Sequence, residues 1–215
     1  ILKLQAIWII IKMVLMILGI ILLLLALPFS SMVTETLTAQ TEPIKEVKEG
    51  DVIFQTSLSQ QSPLIQMATR SKISHCGIIV IKDGKPYVLE TLKTLVITPL
   101  DKFIARGENG KYWVKRSNKE NVKIKYESYL GIPYDLAFKF DNDKFYCSEL
   151  IYDIYKNQLG IELCKPKKVS DYLILGLSNL PQLEKVMEKR EITKEQYVVA
   201  PVDIFESDYL EDVKQ

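Results

Sequence analysis

Residues 75–91 read HCGIIVIKDGKPYVLET. Two runs of β-formers flank Asp83-Gly84, the dipeptide that favours a two-residue type I′ turn because both turn positions take positive φ. With those two residues as the loop, Gly77 faces Glu90 and His75 faces Leu92. Alternation then places His75, Gly77, Ile79, Val88, Glu90 and Leu92 on one face of the ribbon, and Cys76, Ile78, Val80, Tyr87, Leu89 and Thr91 on the other. Both faces are mostly apolar. A carboxylate on such a face needs a partner, and His75 is a diagonal neighbour of Glu90, roughly 7–8 Å away by backbone and nearer by side chain. The plainer readings are a histidine satisfied by a backbone carbonyl and a solvated Glu90 at a strand end. The register turns Cys76 away from His75, which predicts a core cysteine.

Working outward, residues 51–55 (DVIFQ) follow a glycine and read as a strand, and residues 63–70 as a short helix with proline in its first turn. Residues 95–97 and 111–115 read as strands, with a turn of helix at 99–105 between them. Residues 122–130 are ambiguous and are read as a helix ended by Gly131 and Pro133. A firmer helix is expected over 143–159, stopped by Gly160. Residues 178–190 read as a helix with Pro181 in its first turn, and 197–205 as a last strand. Antiparallel hairpins bracketed by helices indicate the α+β class.

The 215 residues carry 28 Lys and Arg against 27 Asp and Glu, and 47% are hydrophobic. No basic excess exists to neutralise phosphates, so a nucleic-acid partner is not expected. The apolar residues crowd the amino end. Residues 13–29, MVLMILGIILLLLALPF, hold no charge, and 7–11 extend the run across Lys12. A bilayer core needs roughly 20 helical residues, so 7–29 is read as an N-terminal transmembrane helix within a 1–29 anchor segment. A cleaved signal segment is the competing reading. Lys3 and Lys12, the only charges before Ser31, both lie on the amino side of the uncharged stretch, which places the amino end in the cytoplasm and the rest outside. Residues 30–49 lack apolar periodicity and read as a polar linker, leaving 50–215 as one folded domain.

Three cysteines and a single histidine are too few for a disulfide framework or an imidazole-rich metal site. A zinc site from His75, Cys76 and Cys147 is argued against by the hairpin facing and by ligand number. Cys147 lies toward the front of the expected helix, with Asp141, Asn142 or Asp143 able to cap its amides. Its helical face continues through Leu150, Ile151 and Ile154, so the thiol points inward. A buried small hydrophobe is the bland reading. The sharper one is a nucleophile, since free amides and the positive helix end lower a thiol pKa. Nearby Asp143 and Glu149 oppose that shift, so a basic partner is needed, and His75 is the sole candidate.

The order GDVIFQ (50–55), SHCGIIV (74–80), YVLET (87–91), GIPYD (131–135) and FYCSELIYDIY (145–155) resembles the circularly permuted papain-like amidases of the YaeF/YiiX kind, relatives of the NlpC-type cell-wall hydrolases. The resemblance covers 50–204, and its most specific element is YCSEL with a histidine on a strand upstream, the reverse of the usual papain order. It implies a small antiparallel sheet or barrel packed against helices, with Cys147 as nucleophile, His75 as general base and then acid, and Glu90 orienting the imidazole. Tyr134, Asp135 and Tyr146 are possible site-lining residues, as is Gln55 for a second oxyanion donor beside the Cys147 amide. Cys164 has no suggestive neighbour.

The function implied is a membrane-anchored cysteine hydrolase, amidase or peptidase in type, cleaving an amide in a cell-wall peptide outside the cytoplasm. No metal or other cofactor is called for. The same site in permuted relatives of the lecithin:retinol acyltransferase kind implies a lipid acyl substrate instead. A third reading is a membrane-tethered binding module without turnover. Oligomeric state and physiological substrate are not legible.

Overall fold

A computed structural model describes residues 46–173 and 180–213. The expected anchor and most of the linker lie outside the described residues. Within them, no helix is long and apolar enough to cross a membrane.

Strand β1 (Val52–Gln55) is followed by α1 (Ser62–Thr69) and then by the hairpin β2 (His75–Lys82) and β3 (Lys85–Thr91). The turn has φ 51° at Asp83 and 71° at Gly84, and the ladder pairs Ile78 with Leu89 and Lys82 with Lys85, the register expected from the loop dipeptide. β4 (Leu95–Pro99) leads directly into α2 (Leu100–Ala105), and β5 (Trp113–Ser117) follows. Further on are α3 (Cys147–Ile154), β6 (Lys167–Lys168), α4 (Val169–Leu173), α5 (Leu180–Lys189), β7 (Tyr197–Val198), α6 (Pro201–Phe205) and β8 (Leu210–Asp212). The main sheet has the order β4-β3-β2-β1-β5-β8, and each neighbouring pair is antiparallel.

The alternation of the hairpin decides what packs where. The face carrying Val52, Phe54, Cys76, Ile78, Val80 and Leu89 is buried against Leu150, Ile151, Ile154 and Tyr155 of the α3 segment. Full burial of aliphatic side chains of this size is worth about 1.5–3 kcal/mol each, so this layer sets the position of α3 against the sheet. The Tyr155 hydroxyl adds a bond to the Gly50 carbonyl at 2.6 Å. On the opposite face α2 packs over β3 and β4, and Ile53, Ile79, Val88 and Phe103 are all fully buried. A smaller apolar cluster joins α4 and α5 through Leu173, Leu183 and Met187, with Leu64 and Ala68 of α1 against it.

Three expectations are corrected. Residues 122–130 form no helix; they run irregularly and close in a single 3-10 turn, Glu127–Tyr129. The amides of Ile124 and Lys125 are taken by the side chains of Glu49 and Gln158, both at 2.9 Å. Residues 197–205 are not one strand: only Tyr197–Val198 pairs, with Lys167–Lys168. Pro201 then starts α6, where its missing N–H costs nothing, and Asp203 accepts the Ala200 amide at 2.7 Å. The helix expected over 143–159 begins only at Cys147, and its last turn, Tyr155–Leu159, is a π-turn ended by Gly160 at φ 71°. Asp141, Asn142 and Asp143 precede it by several residues and do not cap it. The helix expected over 178–190 is seen as Leu180–Lys189, with 174–179 outside the described residues.

Candidate active site

His75 opens β2 opposite Gln55 of β1, while Glu90 lies near the end of β3. The diagonal places them as expected: His75 Nε2 and Glu90 Oε2 are 2.8 Å apart. Glu90 is fully buried, and its other oxygen accepts a bond from Arg106 Nη2, just beyond α2. Phe103 of α2 stacks on the imidazole, with ring centroids 5.7 Å apart and planes within 24°. The hairpin brings these groups close because residue 77 is glycine. A Cβ there would stand 2.3 Å from Val88 Cγ1 and 2.9 Å from the Leu89 carbonyl oxygen.

Cys147 is the first residue of α3, so the amides of its turn have no intrahelical acceptor and the positive end of the helix lies at the sulfur. Burial would raise the thiol pKa, yet hydrogen bonding from Cys76, and secondarily from His75, holds it well below the ordinary range. Burial of His75 pushes its pKa down, but hydrogen bonds and charge from Cys147 and Glu90 outweigh that and raise it to about 9. Burial of Glu90 favours the neutral acid; His75, with help from Thr98 and Arg106, reverses the balance and lowers its pKa. Burial, with the nearby Cys147, raises the Cys76 thiol well above its usual value. These shifts favour the thiolate, the imidazolium and the carboxylate, with Cys76 as a neutral thiol beside Cys147.

Cys76 is buried in the core, as its place on the ribbon requires. That face is also the one on which α3 packs, so its thiol stands beside Cys147, which the hairpin facing alone did not suggest. Arg106, Phe103 and Thr98 were likewise not foreseen. The cue for Arg106 was a buried carboxylate with two oxygens and one imidazole to satisfy it; nothing local marked which cation would come.

Two cavities meet at Cys147. One, of about 570 Å³, is lined by Gln55, His75, Thr91, Lys93, Arg106 and Tyr134 among others. The other is lined by Leu64, Leu173, Leu183, Met187, Ile192 and Val199, among others, and no Asp, Glu, Lys, Arg or His lines it. Tyr146 lines the second cavity, where its hydroxyl accepts the Val199 amide at 3.1 Å. Asp135 is a buried turn residue, accepting bonds from Ala137, Lys139 and Asn142. Gln55 is buried, with Oε1 lacking a partner in the described residues. Cys164 is half-buried, and burial pushes its thiol up to about 12.

A six-stranded antiparallel sheet, a cysteine heading the helix packed on it and a histidine upstream on a strand define a papain-like fold in permuted order. The chain belongs to the permuted papain-like amidase family, YaeF/YiiX, C92, whose model matches residues 46–214. It is 37% identical over 174 residues to the uncharacterized protein YiiX of Escherichia coli strain K12, covering 76% of this chain and 84% of that one. The crystal structure of metalloprotein yiiX from Escherichia coli O157:H7 superposes with a TM-score of 0.69 at 35% identity, covering 78% of this chain and 97% of that chain. Metal binding is named for that protein. Among the described residues here, no group of three or more His, Cys, Asp or Glu side chains is placed to hold a metal ion, and His75 Nε2 is already engaged by Glu90. The described residues do not fit a metal centre.

Proposed function

We propose that the protein hydrolyses an amide through a Cys147 acyl-enzyme, with His75 as proton carrier and Glu90 as the group that orients it. The observation that carries this reading is the position of Cys147, at a helix start and lining one cavity with His75. The thiolate attacks the carbonyl carbon, and the carbonyl electron pair moves to oxygen, where the helix-start amide stabilises it. As the tetrahedral intermediate collapses, the C–N bond breaks and His75 gives its proton to the departing nitrogen. A thioester remains with neutral His75. Water then attacks it, His75 takes the proton, and the acid leaves as the thiolate re-forms.

The cavity beyond Cys147 bears on the choice between the two substrate classes. Its lining of Leu, Ile and Met side chains suits a hydrocarbon chain and offers nothing to the polar backbone of a peptide. The lipid reading is therefore favoured over a cell-wall peptide. The apolar run at 7–29 is proposed to tether the domain at a membrane surface, where such chains are found.

Turnover of N-acyl amides of graded chain length tests this on the full chain in detergent. Rates should rise with chain length, and Cys147→Ala should abolish them. Hydrolysis by Cys147→Ala at the native rate would dismiss the assignment, and cleavage of muropeptides in preference to acyl amides would restore the cell-wall reading.

A further inference from the structure

The 570 Å³ cavity is lined by Lys93 and Arg106 but by no aspartate or glutamate, in a chain whose basic and acidic residues are nearly balanced. Glu90 stands close behind this lining, yet it is fully buried and its charge is taken by His75 and Arg106. Arg106 spends one terminal nitrogen on Glu90 and its Nε on the Lys102 carbonyl, which leaves Nη1 unbonded among the described residues. Lys93 is exposed and makes no ion pair there. Thr91, 2% exposed, also lines the cavity, and its hydroxyl has no hydrogen-bond partner among those residues. A buried hydroxyl without a partner, beside a lysine with no ion pair and a guanidinium with one terminal nitrogen still open, is the chemistry of an anion site.

The side of the scissile bond follows from His75. Its imidazole lines this cavity and not the apolar one, so the nitrogen it protonates departs on this side. We propose that the leaving amine carries an anionic group, a carboxylate or a phosphate, held by Arg106, Lys93 and the Thr91 hydroxyl. This rests on the acyl-enzyme reading: the acyl chain fills the apolar cavity and the charged amine fills the cationic one.

Iodoacetate and iodoacetamide, alike in size and different in charge, probe the site on the full chain. The ratio of their rates at Cys147, referred to the same ratio for N-acetylcysteine, should be raised about three- to tenfold, and it should fall with salt. Lys93→Glu should lower it by a similar factor; taking a ratio cancels changes in the thiol itself. A ratio unmoved by Lys93→Glu would overturn the inference while leaving the acyl-enzyme reading in place. Failure of both reagents to label Cys147 would remove that reading and the inference with it. Protection of Cys147 by N-octanoylglycine, octanoylethanolamide and its O-phosphate identifies the anion. One charged compound should protect at concentrations at least threefold below the neutral one, and equal protection by all three would contradict the proposal.

Discussion

Glu90 stands fully buried between His75 and Arg106, and each neighbour pulls on it differently. The imidazole needs the carboxylate charge to hold its proton; the guanidinium shares that charge and keeps the acid ionised. Glu90→Gln keeps a hydrogen-bonding shape but removes the charge. One of the groups raising His75 to about 9 is then gone, so the folded-state pKa of the imidazole falls. The alkaline limb of the pH–rate profile should move to lower pH, and the rate should drop about 10²-fold, the usual size of a general acid–base contribution. A limb that stays in place would contradict Glu90's role. Cys76→Ala removes the neighbouring thiol that does most to lower the Cys147 pKa. Its alkylation profile should shift to higher pH, which thiol labelling across pH reads directly.

At the scale of elements, the hairpin was legible to the residue, because a two-residue turn leaves one register and alternation leaves one facing. The His75–Glu90 contact followed from it. Arg106 was not legible: its approach depends on α2 crossing the sheet, which no periodicity encodes. The start of α3 was misplaced by several residues, since Asp141, Asn142 and Asp143 look like caps, but the helix begins beyond them and Asn142 instead bonds to Asp135 at 3.0 Å. Residues 122–130 failed as a helix because their amides answer to side chains distant in sequence. The close approach of the hairpin strands makes a further prediction. Gly77→Ala drives a methyl into Val88 and a backbone carbonyl, which should cost about 1–3 kcal/mol of stability by urea denaturation. It should also lower kcat by shifting Glu90 from His75.

On the scale of the whole molecule, the fold class was legible and the two cavities were not. The apolar one is walled by α1, α4, α5 and the segment around β7, the other by the ends of β1, β2, β3 and α2, segments distant along the chain that share a site only after packing. What unites the molecule is that the layer of apolar contacts holding α3 on the sheet also delivers Cys147 to the histidine at the start of β2. The most direct test of that convergence is the pH dependence of Cys147 alkylation by iodoacetamide in the full chain and in His75→Ala. Labelling well below the pH at which a free thiol ionises, shifted upward when the imidazole is removed, is the result expected of a thiolate–imidazolium pair. Labelling that rises only near pH 8.5–9, as for a free cysteine, and is indifferent to His75, would contradict it.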